Sequence, residues 1–364
     1  ILIQASAVVL DGFAWSLDWL DSQGWLAVQA CRRPLWPEML GYWGVLTALA
    51  LAAGSEVWHG PIRRVVFPVW LLGCLAMIVV PPLAGSWHRA QDRAQVLVLD
   101  TGMSQAVLID LPDGRRILVD GGGSWQRSFD VGKWAVVPTL THGRSPVVDL
   151  AILTHGDADH VRGLYHVLER CRVKAFAFNG RRPKGEDGER LDELLKGAGT
   201  PVMIWAAGSR LDLGGGFWLE CLHPGPGDQG FSSNDFSLVL RFGWEDQGLV
   251  LIPGDVQGPG IASLLAREAR LQAEALILPH HGSRGSLDSA FLARVDPQVA
   301  VAAAGFENRY GFPAAEVVEA CRKFKCPVYV TGESGAVLLQ WSLDGVRRPV
   351  HCERDNGQGT NSGY

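Results

Sequence analysis

Four potential metal ligands, His155, Asp157, Asp159 and His160, fall within six consecutive residues of the run THGDADH at 154–160. Borderline and hard divalent ions take imidazole and carboxylate ligands, so these residue types at this density point to a metal site. Gly156 and Ala158 are small enough to let the four side chains converge from one tight turn. The competing reading, a solvated polar loop ahead of a helix, does not account for that density. A divalent ion held there would polarise a substrate oxygen, or lower the pKa of a bound water from about 15.7 toward about 7 and supply hydroxide at neutral pH.

The elements that must position these residues are legible as short apolar stretches. Strands are expected at Gln95–Leu99, Ala106–Leu111, Arg116–Val119, Val148–Leu153, Lys174–Phe178, Phe217–Leu222, Phe236–Phe242, Leu249–Ile252, Ala275–Leu278 and Val299–Ala303. Helical patterns interrupt them at about 161–170, 189–197, 259–271, 288–295 and 314–324. Hairpins first and alternation later predict mixed sheets covered by helices, a layered α/β sandwich. Ligand-type residues stand at further strand exits: Asp120 after RRILV, Asp255 after LVLIPG, and His280 and His281 after LILP. Sheets of this kind place ligands beyond the carboxyl ends of strands, so these dispersed residues can meet at one edge. Adjacent side chains at a strand exit point in opposite directions, so one of His280 and His281 is expected to face the metal, and sequence does not rank them.

Composition bounds the rest. The chain has 364 residues, 47% hydrophobic, enough for two or three units with their own cores. A net charge of −5 and a pI near 6.1 exclude a global basic field, so any polyanion must be held locally. Seven dispersed cysteines without a C-x-x-C pair indicate neither a disulfide framework nor a thiolate zinc site. The first residue is Ile and no signal peptide is visible, which reads as a piece of a longer protein.

The first ninety residues differ in kind. Val65 to Gly85 carries no charged residue over 21 positions, which at about 1.5 Å per residue is enough to cross a hydrocarbon core of roughly 30 Å. A transmembrane helix is expected there, with Pro68, Pro81 and Pro82 near its ends; a buried core helix is the alternative. Met39 to Val57 is a weaker candidate that spans or re-enters, and Val8 to Ala30 fits an interfacial amphipathic helix. Arginines flank these segments evenly, so the positive-inside rule gives no orientation. The division expected is a membrane region at 1–90, an α/β enzyme domain at 91–345 and a tail at 346–364.

LTHGDADHVRGL resembles the H-x-[HD]-x-D-H signature of the metallo-β-lactamase superfamily, with Asp157 where many members carry a second His. LVDGGG and LIPGD are similar to its earlier aspartate motif and its later bridging-aspartate motif. A narrower resemblance, over about 95–340, is to the C-terminal domain of the ComEC family of DNA-internalisation competence proteins. It rests on LVLDTG at 97–102, FDVGKWAVVPTL at 129–140, SSNDFSLVLRF at 232–242, LPHHGSRGS at 278–286 and NRYGFP at 308–313.

The resemblance implies a metallo-β-lactamase-like αββα sandwich preceded by transmembrane helices, the last spans of a polytopic domain in the bacterial inner membrane, with the soluble domain on its outer face. It implies a metal-dependent phosphodiester hydrolase, a nuclease, acting on DNA together with other uptake components. His155 and Asp157 would bind one ion and Asp159 and His160 another, with Asp255 bridging and His280 and His281 completing the set. Asp159 would also orient or deprotonate the attacking water. Carboxylate-rich ligation shifts the expected preference toward Mn²⁺ or Mg²⁺, with Zn²⁺ remaining open.

Supporting roles are expected for Asp120, which would order the His155 loop or simply form a D-G-G turn, and for Asn234, a weak amide ligand or a substrate contact. Ser283, with backbone N–H groups around Gly282, could hold a phosphate oxygen, with Arg284 adding charge; a surface arginine is the plainer reading of Arg284. His223 is read as part of a structural turn, and Arg181, Arg182 and Lys184 as a solvated loop ahead of a DNA contact. Three departures from the family pattern stand out: Gln105 where an acid is usual, Phe312 where a histidine is usual, and Arg162-Gly163 in place of a glycine pair. They motivate a rival, a catalytically impaired module of a DNA channel. A small-molecule hydrolase, such as a lactonase or lactamase, is the second rival.

Overall fold

The computed structural model describes residues 32–53, 61–89, 93–124, 129–342, 347 and 350–354. The interfacial helix expected at Val8 to Ala30 lies outside them. Helix α1 (Trp36–Ala53) and helix α2 (Pro61–Arg89) pack on each other as a hairpin and contain the candidates at 39–57 and 65–85, apart from 54–57, which lie outside the described residues. A Cβ on Gly41 would lie 2.5 Å from the Cys74 carbonyl oxygen and one on Gly44 2.4 Å from its sulfur, so both glycines are needed for this approach. Among the described residues, no helix is long and apolar enough to cross a membrane.

From Arg93 onward alternating and continuous apolar runs build two sheets. The strands are β1 (Arg93–Val98), β2 (Val107–Asp110), β3 (Arg116–Val119), β4 (Val147–Val148), β5 (Leu150–Leu153), β6 (Arg172–Val173), β7 (Phe176–Phe178), β8 (Val202–Ile204), β9 (Arg210–Gly214), β10 (Phe217–His223), β11 (Val239–Trp244), β12 (Gln247–Ile252), β13 (Ala275–Ile277), β14 (Val299–Ala302), β15 (Val328–Val330), β16 (Val337–Ser342) and β17 (His351–Cys352). One sheet has the order β17-β16-β1-β2-β3-β5-β7-β8 and the other β15-β14-β13-β12-β11-β10-β9, while β4 and β6 form a small pair. Each large sheet joins an antiparallel half to a parallel half, β3-β5-β7-β8 in one and β12-β13-β14-β15 in the other. In the parallel halves β3, β5, β12, β13 and β14 are wholly or almost wholly buried, because both faces are covered.

Val96, Ile109, Ile152, Leu240, Ile252 and Trp341 fill the space between the sheets. Helices α3 (Ala158–Arg170) and α4 (Glu186–Ala198) cover the outer face of the first sheet through Val161, Leu164, Val167, Leu191 and Leu195. Helices α5 (Gly258–Ala266), α6 (Ser289–Val295) and α7 (Ala315–Lys323) cover the second through Ile261, Leu264, Phe291 and Val317. The result is the expected helix-sheet-sheet-helix sandwich. Strands β8, β9, β15, β16 and β17 extend it beyond the sequence expectations. His351–Cys352, within the stretch read as a tail, pairs with Val337 and Leu338.

Glycine packing brings α3 to the site. A Cβ on Gly163 would lie 1.9 Å from the Gly121 carbonyl oxygen, so only glycine allows the helix to rest on the turn after β3. Arg162 points the other way, to Asp187 at 3.0 Å and the Ser124 carbonyl at 2.9 Å, which explains why arginine is tolerated beside it.

Candidate metal centre

Strands β3, β5 and β12 and the turn after β13 end at one edge of the sandwich, and their exit residues meet there. One ligand atom each from Asp159, His160, Asp255 and His281 lie within 4.8 Å of one another. Asp255 is the hub. Its Oδ1 is 3.2 Å from His160 Nε2, and its Oδ2 is 3.9, 3.7 and 3.8 Å from the Nε2 atoms of His155, His280 and His281. His281 Nε2 also lies 3.4 Å from Asp159 Oδ2, and His155 Nε2 lies 3.8 Å from Asp157 Oδ2.

Tautomers are set from behind. Asp120, fully buried and at a φ of 58°, accepts from Gln105 Nε2 at 2.9 Å and from Thr154 N, Thr154 Oγ1 and His160 Nδ1, each at 2.8 Å. His160 therefore carries its proton on Nδ1 and turns a bare Nε2 into the site. The Thr154 hydroxyl gives its hydrogen to Asp120, so toward His155 Nδ1 at 3.2 Å it can only accept, and His155 Nε2 is bare too. His281 Nδ1 donates to the Ala303 carbonyl at 2.7 Å, with the same outcome. The Nε2 atoms of His155, His160 and His281 and Asp255 Oδ1 are buried without a hydrogen-bond partner. Orphaned acceptors of this kind are costly in a protein interior unless a cation uses them.

Without a cation the carboxylates favour a second proton on His160 and His281, which a bound ion would displace. Burial pushes the His155 imidazole below its ordinary pKa, and the neighbouring His160 adds to the fall. At His160 burial acts downward but is outweighed by Asp255 and Asp120, which hold it well above the usual value. His281 is likewise raised, burial being outweighed by Asp255 and the contact with Asp159. The Asp255 carboxyl is held well below the carboxylate range, since His160 and His281 overcome the effect of burial. Asp159 is also lowered, burial being outweighed by His281 and His160. Buried carboxylates thus draw protons onto imidazoles for want of other positive charge, and a divalent ion would supply that charge. The donor set fits such an ion.

His280 and His281 do not follow strand alternation. Both are in left-handed backbone conformation, with φ of 49° and 58°, inside the turn Pro279–Gly282, and both therefore aim Nε2 at Asp255. Asp157 stands at the N-terminus of α3, but its Oδ1 accepts from Ser233 Oγ at 2.9 Å. Ser233 thus makes the contact with the signature loop in the segment where Asn234 was expected to act. Ser283 Oγ accepts from Gly285 N at 3.2 Å and Arg284 pairs with Glu316 at 2.5 Å, so both are engaged locally. Arg181 donates to the Phe231 carbonyl at 2.7 Å and lies over the Phe236 ring, while Arg182 pairs with Asp192, in keeping with a structured surface loop. His223 is buried against Ser237 and Asp228, as a structural turn requires.

Sequence reasoning missed the backing layer of Gln105, Thr154 and Ala303. Thr154 adjoins His155 and Gln105 fills a position that is acidic in the family pattern, so both left a signal; a backbone carbonyl such as that of Ala303 leaves none. At the opposite, N-terminal ends of β3 and β5 lies a cavity of about 550 Å³ lined by Arg32, Arg115, Arg116, Arg144 and Lys174. Its cations are already engaged, Arg32 with Glu38, Arg115 with Asp113, Arg144 with Asp110, Lys174 with Asp149 and Arg116 with the Leu140 and Ser145 carbonyls.

A four-layer sandwich with a His/Asp cluster at its strand exits defines a class of generally metal-dependent hydrolases. The chain belongs to the metallo-beta-lactamase superfamily, which it matches over residues 99–305. Within it, the ComEC resemblance is borne out by homologous competence proteins. ComE operon protein 3 of Bacillus subtilis is 28% identical over 69% of this chain and 33% of its own length. Competence protein ComA of Neisseria gonorrhoeae is 28% identical over 71% and 34%, and Recombination protein 2 of Haemophilus influenzae 28% over 69% and 29%. The chain spans about a third of the length of these relatives.

Proposed function

We propose that the chain is a membrane-anchored, metal-dependent phosphodiester hydrolase, a nuclease that acts on DNA during uptake. The observation that carries this reading is the convergence of bare, tautomer-fixed ligand atoms on Asp255, in a chain homologous to competence proteins. Asp159, His160, Asp255 and His281 would hold one divalent ion, and His155 and Asp157 a second that shares Asp255, with His280 beside it. Mn²⁺ or Mg²⁺ suits the three carboxylates of this set, and Zn²⁺ its four imidazoles. Such ions supply charge to clamp a phosphodiester and acidify an attacking water. Asp120 keeps His160 in its ligating tautomer. Asp159, whose side chain is 15% exposed, is open to solvent on one side and can take the proton of that water at the oxygen turned away from His281.

The membrane reading rests on the helical hairpin. Its small-residue contact at Gly41, Gly44 and Cys74 is the kind that packs helices in lipid. Trp36, Leu40, Trp43, Val69 and Leu72 are exposed to between 60% and 76%, an apolar surface that a bilayer would cover. A bacterial inner membrane, the hydrolase domain on its outer face and further DNA-uptake components as partners complete the proposal.

The test is incubation of the full chain in detergent with labelled DNA and Mn²⁺, Mg²⁺ or Zn²⁺. Metal-dependent cleavage is the expected result. Bound metal without cleavage would establish the impaired-module rival, and turnover of esters or lactams without DNA cleavage the small-molecule rival. The Phe312 ring meets His280 edge to face at 5.9 Å, where a histidine is usual in the family pattern. Phe312→His is expected to raise the cleavage rate several-fold by adding a proton donor beside the centre; an unchanged rate would make the substitution incidental.

A further inference from the structure

The loop from Gly305 to Pro313, between β14 and α7, presents aromatic surface to solvent beside the metal centre. Phe306 is 66% and Tyr310 48% exposed. Rings run from this surface to the candidate ligands. Tyr310 stacks on Phe312 with centroids 5.6 Å apart and planes 23° from parallel, Phe312 meets His280 at 5.9 Å, and His280 Nε2 lies 3.7 Å from Asp255. The Arg309 guanidinium carbon lies 4.7 Å from the centre of the Tyr310 ring. Asn308 holds the loop in shape: its Nδ2 donates to the Gly305 and Phe312 carbonyls at 2.9 and 2.5 Å, and its Oδ1 accepts from Phe312 N at 3.0 Å. The rings are therefore presented by a preformed loop, at little ordering cost to a ligand.

We infer that Phe306, Arg309 and Tyr310 form a stacking platform for the bases of single-stranded nucleic acid, holding nucleotides that flank the bond at the metal centre. The inference rests on the nuclease reading and names the form of its substrate. Every base offers a π-face that stacks on an aromatic ring without regard to sequence, and a guanidinium adds both a stacking plane and a charge for phosphate. A chain with a net charge of −5 has no global field to retain a polyanion, so its affinity must come from local contacts such as these. In a duplex the bases are already stacked on one another, and the platform has nothing to take.

Binding without cleavage isolates the platform. The full chain in detergent, with EDTA, is titrated into fluorescent single strands of equal length that either carry thymine bases or are abasic, with a duplex as a third probe. The base-bearing strand is expected to bind on the order of tenfold more tightly than the abasic one. The Phe306→Ala/Tyr310→Ala variant should bring the two together, while Phe306→Tyr/Tyr310→Phe keeps them apart. Both side chains are exposed, so a circular dichroism spectrum like that of the parent is expected for each variant. Equal binding of base-bearing and abasic strands by the parent chain would overturn the platform. So would duplex binding as tight as single-strand binding, or an alanine variant that still discriminates. Failure of the nuclease reading has a different signature: no strand is cut with any divalent metal, whatever the binding shows.

Discussion

Asp159→Ala is expected to abolish turnover while leaving the fold intact. The Asp159 side chain is 15% accessible, more than that of Asp255, and its contact within the cluster is His281 Nε2 at 3.4 Å. Truncation therefore removes one ion pair at the solvent edge and leaves the sheets and their cores untouched. Catalysis would lose far more, because in the proposed mechanism one residue would supply both a ligand and the carboxylate that takes a proton from the attacking water. Metal-assisted activation of water is worth several kcal/mol of barrier, and each 1.36 kcal/mol is about tenfold in rate. Initial rates of DNA cleavage with a thermal melt of the same preparation check this. A variant with a native melt that keeps more than about a tenth of the parent rate would refute the role given to Asp159.

Asp120→Ala should act the other way round, on the scaffold first and on the chemistry through it. The Asp120 carboxylate accepts from the Gln105 amide, the Thr154 backbone and hydroxyl, and His160 Nδ1, all within 2.9 Å and all buried. Removing it strands these donors away from water, and breaking a buried polar network from one side typically costs about 3–5 kcal/mol. It also releases the tautomers of His160 and, through Thr154, of His155, so metal affinity should fall by about 10–100-fold even where the protein still folds. Urea denaturation and metal titration together test it. Unchanged stability and unchanged affinity would return Asp120 to the plain turn residue that its D-G-G context also allows.

The clustering of these residues was largely legible in the sequence because they sit where local patterns end. The run at 154–160 is contiguous, and Asp120, Asp255 and the histidine pair each follow an apolar stretch, so strand period and ligand type were enough to suggest that they meet. The orientation of His280 and His281 was not legible, since two successive left-handed residues form a turn that strand alternation does not describe. Ser233 was missed because its contact with Asp157 joins segments 76 residues apart. Edge strands escaped for a related reason. All three residues of β8 are exposed and β9 is mostly so, and a strand without a buried face has no hydrophobic alternation to read. Gln105, which in sequence looked like the loss of an acid, is a buried donor to Asp120, and its amide avoids setting a second carboxylate against the first.

Anomalous diffraction from crystals of the protein grown with Mn²⁺ tests the central claim most directly. A peak within ligand distance of Asp159, His160, Asp255 and His281, absent from Asp255→Ala crystals, is the result predicted. Full-occupancy metal elsewhere in the chain, or no ordered peak at that cluster at saturating Mn²⁺ or Zn²⁺, would contradict it.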